Sequence, residues 1–330
     1  MLYEDLKIRT GWTLSQKIDH AVGTIEAFLA KTDGKGYISF SGGKDSTVLL
    51  DIARRFVRRG FPAVFSNTGN EFPEIVQFVR TFDDVTIIRP KMRISDVLSK
   101  YGFPLVSKEQ SQYIRQARNT NSEILRNIRI NGKQGRNGYK QGKIDDKWLF
   151  LIKAPFEVSE LCCQKLKKDP FHTYSKETGL YPIIGTMASE SRLRLQKWLK
   201  TGCNSFDSKN IASYPLSIWT ENDIWEYIHK LKVPYSPIYD KGCNRTGCMF
   251  CGFGCHMEKG LFNRFDVLQN LHPKAYQTFM AYENNGVTYR DALEYIGIKL
   301  PDSKNRQLRL FGIDEIINTN KVNSYESNYS

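Results

Sequence analysis

The stretch Ser41-Gly42-Gly43-Lys44-Asp45-Ser46 constrains this chain more than any other. It follows the apolar run Tyr37-Ile38-Ser39-Phe40 and precedes Thr47-Val48-Leu49-Leu50-Asp51-Ile52-Ala53, whose pattern predicts a helix. Strand, glycine turn and helix start, in that order, make a phosphate cradle. The glycines let backbone approach an anion, and the first free N–H groups of the helix point at it with the positive end of the dipole. Lys44 adds a full charge, and the Ser41 and Ser46 hydroxyls add donors. The spacing fits neither G-x-x-x-x-G-K-[ST] nor G-x-G-x-x-G, which excludes the common P-loop and Rossmann fingerprints.

Helix and strand patterns alternate around this turn. Apolar residues recur at helical spacing from Leu14 to Leu29, predicting a helix over residues 13–31. The helix from Asp45 to Arg59 stops at Gly60-Phe61-Pro62. Ala63-Val64-Phe65-Ser66 and Val85-Thr86-Ile87-Ile88 read as strands, with Pro73 opening a helix between them. Leu180 to Gly185 reads as a further strand, and Thr220 with Asp223 as the N-cap of a helix. Gly69, at a strand's carboxyl end, leaves room for a ligand. This alternation predicts a doubly wound, mostly parallel α/β sheet. Trp219, Trp225 and Tyr227 are expected in the core. Between Arg115 and Lys143 eight basic residues (Arg115, Arg118, Arg126, Arg129, Lys133, Arg136, Lys140, Lys143) face one acid, Glu123, and glycines at 132, 135, 138 and 142 predict that its second half is a flexible basic loop. It is either a groove for the phosphates of tRNA or DNA or a solvated insertion. The net charge of +13 suits a polyanionic partner. No run reaches the roughly 18 apolar residues of a membrane span, and the first residues lack a signal-peptide layout, so no membrane association and a cytoplasmic location are expected.

The seven cysteines are clustered, which points to metal or redox chemistry before disulfides. Cys243, Cys248, Cys251 and Cys255 have the spacing C-x4-C-x2-C-x3-C, with glycines at 247, 252 and 254 allowing tight loops. Zinc is the rival of an iron-sulfur site there. Cys203 stands alone, and His256 beside Cys255 is a weak substitute ligand.

On these residues the chain resembles the phosphoadenosine phosphosulfate (PAPS) reductase family, within the adenine nucleotide α-hydrolase-like group of PP-loop proteins. S-G-G-K-D-S matches its pyrophosphate loop. Asn67-Thr68-Gly69-Asn70-Glu71-Phe72-Pro73-Glu74 is similar to its D-T-G-x-E-x-P-E segment, with Asn67 in place of Asp. Gly185, Glu190, Ser191, Arg192 and Arg194 keep the layout that lies over the nucleotide in relatives, with Thr186 where arginine is frequent. The resemblance implies a nucleotide site of Ser41, Gly42, Gly43, Lys44, Asp45, Ser46, Thr68, Gly69, Gly185 and Arg192, with Lys44 and Asp45 catalytic. Adjacent Cys162-Cys163 resembles the paired-cysteine element of sulfonucleotide reductases, whose other ligands form a C-x-x-C pair. This implies a [4Fe-4S] cluster on Cys162, Cys163, Cys248 and Cys251, with Cys243, Cys248, Cys251 and Cys255 as the alternative set. The family's reductases use a cysteine in a C-terminal tail, and no cysteine follows Cys255 here. The expected chemistry is therefore cleavage of ATP, with Mg²⁺, to AMP and pyrophosphate, activating an acceptor for sulfur transfer. The alternatives are a PAPS or adenylyl sulfate reductase with a different nucleophile, Cys243 or Cys255, and a nucleic-acid-binding module. The expected organisation is a nucleotide domain over 1–240 carrying the insertion at 108–148, a cysteine-rich element over 241–260, and a helical extension over 261–330 with a mobile tail.

Overall fold

The computed structural model describes residues 2–135, 140–207, 211–258 and 262–301. The expected mobile tail at 321–330 and Arg136 lie outside the described residues. Among those described, no helix is long and apolar enough to cross a membrane.

The chain divides into two compact units, each built from separated segments. The first comprises residues 1–93 and 163–249, the second residues 94–162 and 250–330. This differs from the sequential division at 240 and 260 that the sequence suggests.

The first unit holds a six-stranded sheet. Its strands are β1 (Gly36–Ser39), β2 (Ala63–Ser66), β3 (Val85–Ile88), β4 (Tyr181–Ile184), β5 (Asn204–Ser205) and β6 (Ala212–Ser213). Their spatial order is β3-β2-β1-β4-β6-β5. All pairs are parallel except the antiparallel β5–β6 pair at the edge. Parallel strands covered by helices read as continuous apolar runs, and Tyr37, Ile38 and Val64 are fully buried. The order reverses at β1, whose successor β2 lies on one side and whose other neighbour β4 comes much later. In open α/β sheets a reversal of this kind marks the end of the sheet where ligands bind.

Helices flank the sheet: α1 (Leu14–Lys31), α2 (Lys44–Ile52), α3 (Pro73–Val79), α4 (Asp169–Thr178), α5 (Arg192–Thr201) and α6 (Glu221–Leu231). Their starts follow local chemistry. Thr13 caps α1 by accepting from the Gln16 N–H, Pro73 opens α3 at its first position, and Thr220 and Asp223 cap α6 reciprocally. Asp223 has a second task. It pairs with Lys17 of α1 at 2.6 Å, with the lysine only 2% exposed, tying two helices through a buried charge pair. Trp219 and Tyr227 are core, as expected, while Trp225 is half-buried.

The second unit is mainly helical. Residues Lys108–Asn119 and Glu123–Asn131 form two helices, followed by a two-stranded ladder of Lys133–Gln134 and Lys140–Gln141. The first half of the basic segment is thus helical, and within the glycine-rich second half, where the flexible loop is expected, the described residues form this short ladder. Toward the C-terminus come helices Arg264–Leu271, Pro273–Met280 and Tyr289–Tyr295, the helical continuation that the sequence predicts.

Candidate functional site

The glycine turn in the first unit is braced from within. Ser46 Oγ donates to the Gly43 carbonyl at 3.0 Å and accepts from the Ser41 N–H at 3.1 Å, and Thr47 Oγ1 donates to the same Gly43 carbonyl at 3.0 Å. Ser41 Oγ lies 2.9 Å from Ser46 Oγ. These hydroxyls hold the loop in shape, whereas the sequence suggested them as donors to an anion. Gly42 has φ +71°, and a Cβ there would come within 2.8 Å of Ile75 and Val79 of α3. Only glycine meets both demands.

Gly185, just after β4, packs on this turn. A Cβ at Gly185 would stand 3.0 Å from the Asp45 carbonyl oxygen and 3.3 Å from Ser46 Cα. The structure therefore brings Gly185 to Ser41–Ser46, as the nucleotide-site reading requires. Thr68 and Gly69 follow β2. Thr68 is buried and donates from N and Oγ1 to the two carboxylate oxygens of Glu71, at 3.0 and 2.8 Å. Gly69 has φ +76° with open space where a Cβ would be. Arg192 is exposed at the start of α5.

Lys44 and Asp45 carry the charge of the site. Lys44 Nζ lies 3.2 Å from Glu221 Oε1 and 3.6 Å from Asp45 Oδ1. Burial pulls the ammonium's pKa down, but Asp45, Tyr239 and Glu221 outweigh it and hold it above its ordinary value. Burial pushes the Asp45 carboxyl up; Lys44 opposes this and Glu221 reinforces it. Asp45 Oδ1 is buried and, apart from the Lys44 ammonium at 3.6 Å, has no hydrogen-bond partner among the described residues. A buried, unsatisfied carboxylate oxygen beside an anion cradle suits a metal-bound water or Mg²⁺.

Several residues that sequence reasoning missed reach this turn. The Lys44 N–H donates to Tyr239 Oη at 2.8 Å, and Thr246 Oγ1 lies 3.0 Å from that oxygen. Glu221 pairs with Lys44. Arg194, already named in the sequence layout after Gly185, is held below its ordinary value by burial first and by Arg245 next, with Asp45 opposing. Tyr239 is 195 residues from Lys44, and no periodicity or spacing signals such a contact.

The cysteines distribute between the units. In the first, Cys248, Cys163 and Glu71 all favour the charge of half-buried Lys167, Cys248 most strongly, and raise its pKa against burial. In the second, Tyr289 is fully buried and donates to the Phe250 carbonyl at 2.8 Å. Its pKa is raised by burial first, then by Cys251, Cys255 and Cys162. Burial, then Glu258, pushes the Cys255 thiol up to about 12. Arg264 fixes the loop around it, donating to the carbonyls of Cys251 at 2.9 Å and Phe253 at 3.0 Å and to Glu258 at 2.7 Å. Gly252 is required because a Cβ would meet the Pro104 carbonyl at 2.5 Å and Tyr289 Oη at 2.7 Å. Each cysteine set splits in the same way: Cys162 and Cys251 fall in the second unit with Cys255, and Cys163 and Cys248 in the first with Cys243. Thiols are the right donors for iron-sulfur or zinc. Among the described residues, however, no group of three or more His, Cys, Asp or Glu side chains is gathered as a metal site. Cys203 is half-buried with its thiol raised by burial.

The basic segment is largely committed to its own unit. Arg115 makes a two-pronged pair with Glu160 at 3.0 and 2.6 Å. Arg118 donates to the carbonyls of Leu151, Ala154 and Phe156 and to Glu157. Arg126 donates to the Ala117 and Thr120 carbonyls, Arg129 to Gln116 and the Gly142 carbonyl, and Lys143 to Asp146. Lys133 and Lys140 are exposed on the short ladder.

Comparison with known proteins follows the same residues. Residues 35–252 match the phosphoadenosine phosphosulfate reductase domain. An uncharacterized protein of Methanocaldococcus jannaschii is 26% identical over 249 residues, covering 74% of this chain and 41% of its own length, so the chain spans under half of that relative. Among solved structures, a PAPS reductase from Candida auris in a phosphate complex is 16% identical, with a TM-score of 0.38, over 75% of this chain and 96% of its own. The U34-tRNA thiolase NcsA from Methanococcus maripaludis, with its [4Fe-4S] cluster, is 15% identical, with a TM-score of 0.32, over 84% of this chain and 82% of its own. The domain match spans β1, the glycine turn and β4 and runs through Cys251, and the chain belongs to the phosphoadenosine phosphosulfate reductase family.

Proposed function

We propose that the protein binds ATP at Ser41–Ser46 and transfers AMP to an acceptor, releasing pyrophosphate, so that sulfur can then displace the AMP. The observation that carries this reading is the glycine turn at the carboxyl end of β1, with the first turn of α2, Lys44, Asp45 and Gly185 converging on it. An acceptor oxygen or nitrogen attacks the α-phosphorus as the bond to the β-phosphate bridging oxygen breaks, and the acceptor's proton leaves to solvent. The backbone amides of the turn and the Lys44 ammonium neutralise charge growing on the leaving pyrophosphate. Asp45, with its unsatisfied oxygen, is suited to hold Mg²⁺ or its water on the bound nucleotide. Thr68, Gly69 and Arg192 complete the proposed nucleotide contacts.

A [4Fe-4S] cluster on Cys162, Cys163, Cys248 and Cys251 is the cofactor proposed, with zinc and the Cys243, Cys248, Cys251, Cys255 set as alternatives. It rests on donor chemistry and on the resemblance, and no step above is routed through it. A nucleic-acid acceptor, tRNA or DNA, is the partner tested first.

The family match favours one second reading, reduction of PAPS or adenylyl sulfate. Its candidate nucleophiles Cys243 and Cys255 are 7% and 3% exposed, and a buried sulfur cannot reach a sulfonucleotide without local opening. The test is equilibrium binding of ATP with Mg²⁺, PAPS and adenylyl sulfate to anaerobically prepared protein, followed by pyrophosphate and sulfite release. Preference for ATP and release of pyrophosphate support adenylyl transfer; sulfite release with a thiol donor replaces it by the reductase. Lys44→Ala is expected to lower turnover at least about 100-fold, and unchanged turnover removes the glycine turn from the mechanism.

A further inference from the structure

We propose that the Tyr239 hydroxyl is a built-in occupant of the phosphate cradle, a gate that an incoming phosphate must displace from the Lys44 amide. The inference rests on the nucleotide-binding reading of Ser41–Ser46. A phosphate bound by the first turn of α2 needs the free N–H groups of that turn. The Lys44 N–H is already taken by Tyr239 Oη at 2.8 Å. Thr246 Oγ1, 3.0 Å from the same oxygen, lies 2.6 Å from where a Gly43 Cβ would stand, so the two hydroxyls cover the open face of the turn. The Tyr239 ring lies 5.5 Å from Lys44 Nζ, whose ammonium is drawn toward Glu221 and Asp45. A phenol oxygen, a threonine hydroxyl and two carboxylates thus stand in for the oxygens of a polyphosphate.

The backbone that carries the gate is fixed. Ile238 is fully buried, the Gly242 N–H donates to the Tyr239 carbonyl, and Lys241 pairs with Glu74 of α3 at 2.6 Å. Opening therefore requires rotation of the Tyr239 side chain, with Thr246 following, and leaves the segment in place.

Inorganic pyrophosphate titrated calorimetrically into the full chain tests this. Tyr239→Phe keeps the ring and loses the competing hydroxyl, and is expected to bind pyrophosphate about five-fold more tightly, the equivalent of one neutral hydrogen bond. Thr246→Val provides a second variant, with a smaller gain in the same direction. Hydrogen exchange at the Lys44 amide is expected to quicken in unliganded Tyr239→Phe and to slow again with pyrophosphate. Equal affinity overturns the gate, and weaker affinity reassigns the hydroxyl as a ligand contact. Binding of neither pyrophosphate nor ATP by either protein removes the nucleotide reading and the gate with it.

Discussion

Asp45 shows how a single residue can be both a liability and a tool. Its carboxyl is held above the ordinary value by burial first, so the folded chain favours the protonated form more than the unfolded chain does. Stability from this group is therefore full at low pH and is lost as pH rises from the ordinary value through the folded-state one. At neutral pH the folded protein carries the cost of the buried charge, partly offset by Lys44. Asp45→Asn is expected to raise the thermal midpoint at pH 7 by roughly 2–4 °C, for about 1 kcal/mol, while abolishing turnover. A lowered midpoint would mean that the pair with Lys44 outweighs the burial. At this scale the sequence disclosed the six-residue turn and Gly185, because a glycine requirement is local and leaves a mark in residue type. Tyr239, Thr246 and Glu221 left none, since each reaches the turn only through the folded chain. The Ser41 and Ser46 hydroxyls were legible as donors, but their direction, inward to the loop, was not.

Among the elements, caps and strand runs were the most readable: Thr13, Pro73 and Thr220 start helices where their chemistry predicts. The basic segment was the least, because counting charges says nothing about the carbonyls that will meet them. Arg118 bridges three backbone carbonyls and Glu157 and so fixes the turns that connect residues 151–157 to the Lys108–Asn119 helix. Arg118→Ala should cost roughly 3 kcal/mol, because it strands several partly buried acceptors at once. Lys133→Ala, on the exposed ladder, should stay within about 0.5 kcal/mol of zero. Urea unfolding midpoints measure both. Equal, small effects would show that Arg118 is a surface cation after all, and would return the segment to the pool of phosphate contacts.

For the whole molecule, two units assembled from interleaved segments could not be read from a linear chain, since their contacts join residues far apart in sequence. The same interleaving splits both candidate cysteine sets, including the Cys243, Cys248, Cys251, Cys255 set that spacing alone had presented as one local motif. Anaerobically purified protein is expected to carry iron and acid-labile sulfide at about four of each per chain, as a [4Fe-4S] cluster requires. Cys248→Ser, at one of the two cysteines shared by both sets, should lose them, and Cys203→Ser should keep them. Zinc without sulfide would decide for the alternative metal. The strand order carries a further consequence, for synthesis. β1 pairs on one side with β2 and on the other with β4, which is made nearly a hundred residues after β3. At about 5–20 residues per second, a nascent chain holds β1 with one bare edge for roughly 5–20 s before its second partner emerges. An unpaired parallel edge of this kind invites wrong pairing, so β1 is open to mispairing until β4 arrives.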